Sequence, residues 1–341
     1  MTASDELNQL RKDIAADAGT LREASDRLGN VLGAASSFPE ALRVYRSGST
    51  ATRFTNDPVD DADGGVVMDR RAYRSLGPDG DGELPAPQVE DLRKWIRPTL
   101  KEIYPDVSVR LMKRGLLIEC NEPLASGEDP SVDLVLALNR AEDNALWIPD
   151  LDRNRWDPGH PERHVELFTA GGDSLRATRR HVVRVAKAQV KQFVEPAVCS
   201  FNIAVLAWEC FEAGEDIAAA LHRFFDYAAR ELSIHQTKDP AGVSPAIKVP
   251  NRNVAVKRFR KVADSIELAI DAGDDDEKVQ EILCDFGVFW KLIDPPAGTS
   301  ANSIANGIAT GRSLAIGTSG LLTTTPSGAS TSLKSTRSYG S

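Results

Sequence analysis

One stretch of this chain places an acid where a buried strand would ordinarily exclude it. In SVDLVLAL, residues 131–138, strict alternation sends Val132, Leu134, Leu136 and Leu138 to one side and Asp133 to the other, with Val135 and Ala137. An ionised carboxylate on the apolar face of a buried strand is costly unless it is paired or bound to a metal. A second stretch, VDDADGGVVMD at 59–69, reads as a short strand on which Asp61 and Asp63 share a side, roughly 7 Å apart. Like charges that close repel one another, and a divalent cation between them reverses the sign of the interaction. An acidic surface loop is the competing reading of this stretch. An EF-hand is excluded: with Gly65 at the sixth loop position, Ala62 falls where a ligand is required.

Upstream, ALRVYRSGS carries a strand into a Gly-Ser turn, Gly48 and Ser49. Glycine lets the backbone approach a ligand closely, and successive N–H groups in a turn make a nest for phosphate oxygens. Mg²⁺ favours one or two carboxylates plus phosphates and water. Two such ions about 4 Å apart clamp both oxygens of an in-line phosphoryl displacement. Gly64 and Gly65 weaken the strand that carries Asp61 and Asp63, which predicts a bulge or a close backbone approach.

The set Gly48-Ser49, Asp61-x-Asp63 and Asp133 resembles the nucleotidyltransferases of the polymerase-β superfamily, and most of all the CD-NTases, bacterial relatives of cyclic GMP–AMP synthase and oligoadenylate synthase. The resemblance spans about residues 40 to 290. It implies an α+β fold, with a mixed β-sheet flanked by helices, a long N-terminal helix bracing it, and a C-terminal helical lobe. It further implies NTP substrates, ATP among them, and Mg²⁺ or Mn²⁺ held by Asp61, Asp63 and Asp133, which are also the catalytic residues. The implied product is a cyclic oligonucleotide second messenger of CBASS-type antiphage defence. Gly48 and Ser49 would hold the triphosphate. In VVRVAKAQV, Lys187 matches the family's phosphate-touching lysine; Gln189 stands where many relatives carry tryptophan. Ser200 and Phe201 match a Ser-Tyr signature that binds phosphate and base, with the hydroxyl of the tyrosine missing here. Ala204 stands where relatives often have glutamate.

Organisation follows from periodicity. Leu7, Leu10, Ile14, Leu21, Leu28, Val31 and Leu32 predict one helix over 4–34, with Ser4 as N-cap. Such a stripe suits either a coiled-coil dimer or packing along its own domain, and the resemblance favours the second. A helix over 87–103 should kink or split at Pro98. VSVRLM and GLLIEC make a hairpin turning at 113–115. Residues 147–170 read as irregular. His160, His164 and Asp157 there could join in a metal site, although polar loop residues are the plainer reading.

From Asp173 the chain reads as helical. Arg176, Arg180, Arg184, Lys187 and Lys191 recur on one helical face, either as a solvated stripe or as a charge partner for phosphates. The next helix should close at Gly214, and a later one run from an Asn253 cap to Gly273. Beyond Pro295-Pro296 the composition turns to Ser, Thr, Gly and Ala, too poor in large apolar residues to offset ordering entropy. The expected organisation is a spine helix and catalytic core at 1–172, a helical lobe at 173–294 and a disordered tail at 295–341.

A formal charge of −9 opposes binding to a phosphate backbone, so no duplex nucleic acid partner is expected. No apolar run is long enough for a transmembrane helix, and the first residues lack the apolar core of a signal peptide. Cys120, Cys199, Cys210 and Cys284 have no metal-binding spacing. These features predict a cytoplasmic protein with reduced thiols. In the resembled family, an operon-encoded regulator or conjugation enzymes acting on the tail are further possible partners. The alternatives in function are template-independent transfer to an RNA or protein acceptor, and a catalytically silent binding module.

Overall fold

The predicted helix over 4–34 is two helices in the computed structural model, which describes residues 1–295 together with the backbone of 313–316 and 322–325. The first, α1 (Ala3–Asp13), starts from Thr2, not Ser4. Thr2 and Asp5 form a reciprocal capping box. The second, α2 (Ala18–Ser36), starts from Asp17, whose carboxylate accepts from Thr20 N at 2.8 Å. An aspartate that caps its own downstream turn competes with continuation of the helix, and the apolar period runs across that break without marking it.

The chain divides into two units. One comprises Ala15–Gly172 and Lys238–Ala246; the other comprises Met1–Ile14, Asp173–Thr237 and the described residues from Ile247 onward.

In the first unit, α2 leads to β1 (Ala41–Ser47), α3 (Gly48–Thr52), β2 (Asp61–Met68), α4 (Ala86–Ile103), β3 (Ser108–Met112), β4 (Gly115–Glu119), β5 (Ser131–Asn139), β6 (Leu146–Asp150), β7 (Arg155–Gly159) and α5 (Pro161–Thr169). The sheet runs β1-β2-β5-β4-β3, with β6 and then β7 joined to the far end of β5. Among the described strands, only β2 and β5 pair in parallel, which requires a long crossover; α4 and the β3–β4 hairpin provide it. The alternation read from β5 holds. Val132, Leu134, Leu136 and Leu138 join Val66 and Met68 of β2 in a core covered by Leu28 and Val31 of α2 and Leu92 and Ile96 of α4. Each such fully buried side chain contributes about 1.5–3 kcal/mol. The opposite face carries Asp133 and a smaller cluster of Tyr45, Val67, Ala137 and Leu146.

One further expectation is narrowed and one corrected. α4 does not split at Pro98 but continues through it, the proline exposed and Val89, Leu92, Ile96 and Leu100 buried on the other side. Residues 147–170 are regular, forming the β6–β7 hairpin and α5. His160 caps α5 and Pro161 occupies its first turn, a helix-start signal that the surrounding Pro and Asp residues obscured.

Arg27 fixes the back of this unit. It is 1% exposed and donates to Glu23 at 2.8 Å, to the carbonyls of Glu122 at 2.6 Å and Pro130 at 2.9 Å, and to Asp129. The segment 238–246 is fastened by Asp239, which accepts from Val243 N at 3.1 Å and Ser244 N at 2.8 Å and bonds His164 Nε2 at 2.6 Å. Burial raises the Asp239 pKa, but the His164 and backbone hydrogen bonds outweigh it and bring it down to about 2.

The helical unit contains α1 with α6 (Asp173–Lys191), α7 (Ser200–Cys210), α8 (Ile217–Ile234), α9 (Arg252–Asp271) and α10 (Asp276–Leu283). α7 closes at Cys210, short of the expected Gly214, because Phe211 turns extended. Buried Arg179 donates to the carbonyls of Phe211 at 2.8 Å and Trp208 at 3.3 Å there. α9 is capped by Asn251 instead of Asn253 and ends as expected at Gly273, which has φ +65°. In the tail, β8 (Ser313–Ile316) and β9 (Leu322–Thr325) pair antiparallel, where no structure was expected; β-branched and apolar residues concentrate in those two short runs. The rest of the expected disordered tail lies outside the described residues. No helix among the described residues is long and apolar enough to cross a membrane.

Arg27→Ala should destabilise the protein by about 1–3 kcal/mol, since it takes the donors from the carbonyls of Glu122 and buried Pro130. Arg27→Lys should recover only part, because it cannot supply the same fork of donors. Denaturant unfolding checks both. The depressed Asp239 pKa contributes about 2 kcal/mol. That contribution is complete above pH about 4 and is lost as pH falls toward 2. Asp239→Asn should therefore flatten the acid limb of the stability profile in that window.

Candidate active site

Register sets the site. In the parallel pair β2–β5, Asp63 lies opposite Asp133, and Asp61 lies opposite Ser131. Asp61 and Asp63 share the face of Asp133, and one carboxylate oxygen from each of the three lies within 4.8 Å of the others. Asp133 is 4% exposed, while Asp61 and Asp63 are half-buried. Each ionised pair at that separation repels by about 3 kcal/mol at an effective dielectric of ~20. Three oxygen donors without histidine or cysteine suit a hard cation such as Mg²⁺ or Mn²⁺ and disfavour zinc.

Hydrogen bonds at the strand ends hold the acids in place against that repulsion. Ser131 N donates to Asp60 O at 3.0 Å, and Thr50 Oγ1 donates to Asp61 O at 3.3 Å. Glu128 accepts from Val59 N at 3.1 Å and from Thr20 Oγ1 at 2.7 Å. It thereby ties the residues just before β2 to the start of α2. Neither Glu128 nor Arg27 was singled out from the sequence. Arg27 left one trace: it falls on the apolar stripe of α2, between Ala24 and Val31.

Gly48 touches this cluster. Its φ is +69°, and a Cβ there would lie 1.8 Å from Asp63 Oδ2, so only glycine fits. The expected Gly-Ser turn is the first step of the five-residue α3. Ser49 follows, its hydroxyl accepting from Thr55 Oγ1 at 3.3 Å and its carbonyl from Phe54 N at 2.8 Å. The close approach expected at the glycine pair is also present. A Cβ on Gly64 would meet Tyr45 O at 2.7 Å, and one on Gly65 the Tyr45 ring at 2.4 Å.

Lys187, Ser200 and Phe201 belong to the helical unit. Lys187 is buried on α6, Ser200 is the first residue of α7, and Phe201 is half-buried beside it. The cationic stripe of α6 is not one solvated face. Arg184 donates to Ile14 O at 3.2 Å, and Arg176 pairs with Asp173. Gln189 is fully buried and donates to the carbonyls of Gly287 at 3.0 Å and Val288 at 3.3 Å. His160, His164 and Asp157 form no metal group. His160 caps α5, His164 bonds Asp239, and Asp157 pairs with Arg114 and Arg155, each at 2.8 Å.

No protein-family model and no curated protein matches the chain. Solved structures do match it. The CdnC of E. coli MS115-1 in complex with HORMA-deltaN superposes with a TM-score of 0.62 at 17% identity, over 85% of this chain and 97% of that one. The CD-NTase CdnG of Bradyrhizobium diazoefficiens, in complex with GTP, gives 0.58 at 16% identity over 83% and 94%. The CdnE cyclic dinucleotide synthase of Elizabethkingia meningoseptica, with GTP and Apcpp, gives 0.55 at 12% identity over 75% and 96%. The expected α+β architecture and the resemblance read from Gly48-Ser49, Asp61-x-Asp63 and Asp133 converge on one result: this chain has the CD-NTase fold.

Proposed function

We propose that the protein is a nucleotidyltransferase that joins nucleoside triphosphates into a cyclic oligonucleotide, a second messenger of CBASS-type antiphage defence made in the cytoplasm. The observation that carries this reading is the convergence of Asp61, Asp63 and Asp133 within 4.8 Å, with Gly48 packed against Asp63, in the CD-NTase fold.

Asp61, Asp63 and Asp133 are the residues that would hold divalent cations, and Gly48 and Ser49 the triphosphate beside them. Cations bound there supply charge neutralisation at the reacting phosphate and acidify the attacking hydroxyl. A ribose hydroxyl oxygen forms a bond to the α-phosphorus as the bond to pyrophosphate breaks; Asp133, the most buried of the three, takes the released proton. Lys187 and Ser200 of the helical unit are assigned to nucleotide phosphates, and Phe201 to a base, through the resemblance. The protein's contribution is positioning and preorganised charge.

Incubating the purified protein with labelled NTPs and Mg²⁺ should yield a phosphatase-resistant product without any acceptor. Asp61→Asn should lower its formation on the order of 10³-fold or more while leaving the protein folded. Label appearing only on added RNA or protein would establish acceptor modification instead. No turnover with any NTP or metal, and no effect of Asp61→Asn, would establish a silent binding module. Lys187→Ala should raise KM more than it lowers kcat if the lysine holds the nucleotide in the ground state.

A further inference from the structure

Beside the acids, on the same face of the sheet, lies a group that the scheme above does not use. Tyr45 of β1 pairs across from Gly65 of β2, and one pleat further along Ser47 pairs with Asp63. Tyr45 is 6% exposed and packs with Val67, Ala137 and Leu146. Its phenol lies over Gly65: a Cβ at position 65 would be 2.4 Å from both Cζ and Oη. The two glycines of ADGGVV therefore serve opposite faces. Gly64 admits Leu28 and Leu32 from α2, whereas Gly65 admits the phenol.

The hydroxyl in that space makes no hydrogen bond within the protein. Burying an unsatisfied hydroxyl costs about 1–3 kcal/mol, and phenylalanine would fill the same volume without it. Burial, then the charge of Glu162, push the phenol's pKa up; Arg43 opposes and Asp63 adds to the rise. The group is thus a proton donor at neutral pH. Arg43 and Glu162 are engaged with each other through two hydrogen bonds, at 3.0 and 2.7 Å. Asp63 also belongs to that set, two residues from Gly65 on the same face and roughly 7 Å along the strand.

We propose that Tyr45 is a positioning residue of the acid cluster, its hydroxyl donating directly or through one water to Asp63 when a divalent cation is held there. This rests on the reading of the three aspartates as a metal site. A donor of this kind fixes the orientation of a ligating carboxylate, and loss of such an outer partner weakens metal binding 10–100-fold.

Titration of the full chain with Mn²⁺, followed by loss of the free-ion EPR signal, tests it in wild type, Tyr45→Phe and Asp63→Asn. Tyr45→Phe should keep the metal-free unfolding midpoint within ~2 °C of wild type or above it. It should also raise the Mn²⁺ dissociation constant 10–100-fold. Asp63→Asn should lose binding. An unchanged constant in Tyr45→Phe, with binding lost in Asp63→Asn, overturns the role of Tyr45 and leaves the metal site standing. A lower metal-free midpoint in Tyr45→Phe also overturns it, since the hydroxyl would then be bonded in the metal-free fold. Failure of the wild type to bind Mn²⁺ overturns both readings.

Discussion

Three carboxylates held closer together than their charges favour are the constraint around which the sheet is built. Each ionised pair costs about 3 kcal/mol, comparable to a large share of a domain's net stability. The parallel register of β2 and β5 imposes that cost by setting Asp63 opposite Asp133. A slip of one residue in either strand would send its acid into the core face and its leucines or valines outward, so the apolar pattern itself locks the acids in place.

The two faces of the sheet thus do opposite work. One is sealed by α2 and α4 with large aliphatic side chains. The other keeps its acids near the ends of β2 and β5, with only a small apolar cluster beside them. Arg27 and Glu128 act behind this arrangement, on the backbone leading into the two acid-bearing strands. Gly48 closes the acid cluster from the side, where any larger residue would displace Asp63. Stability invested in the rear of the sheet offsets the repulsion tolerated at the front.

Local pattern made part of this legible. The period-two alternation of SVDLVLAL assigned both faces of β5, because the side chains of a regular strand alternate between its faces. Asp133 stood out because it interrupted an apolar run, and Asp61 and Asp63 because they share one side of a short strand downstream of Gly48-Ser49. What resisted reading depended on partners distant in sequence. The break at Asp17 lay inside an unbroken apolar period, and only the cap bond to Thr20 reveals it. The early end of α7 depends on Arg179 reaching Phe211 O. The β6–β7 hairpin was hidden by Pro149, Pro158 and charged residues, whose pairing with Arg114 makes them structural. Gln189, a departure from the resembled family's tryptophan, serves here to clamp the carbonyls of Gly287 and Val288.

On the proposed reading, the acid cluster is strained without a cation and relaxed with one. Calorimetric unfolding in EDTA and in excess Mn²⁺ tests it most directly, in wild type and Asp133→Asn. Mn²⁺ should raise the wild-type midpoint in proportion to ln(1 + [L]/Kd). Asp133→Asn should unfold at a higher temperature than wild type in EDTA and no longer respond to Mn²⁺. A wild type indifferent to Mn²⁺, together with an asparagine variant less stable than wild type in EDTA, would contradict it.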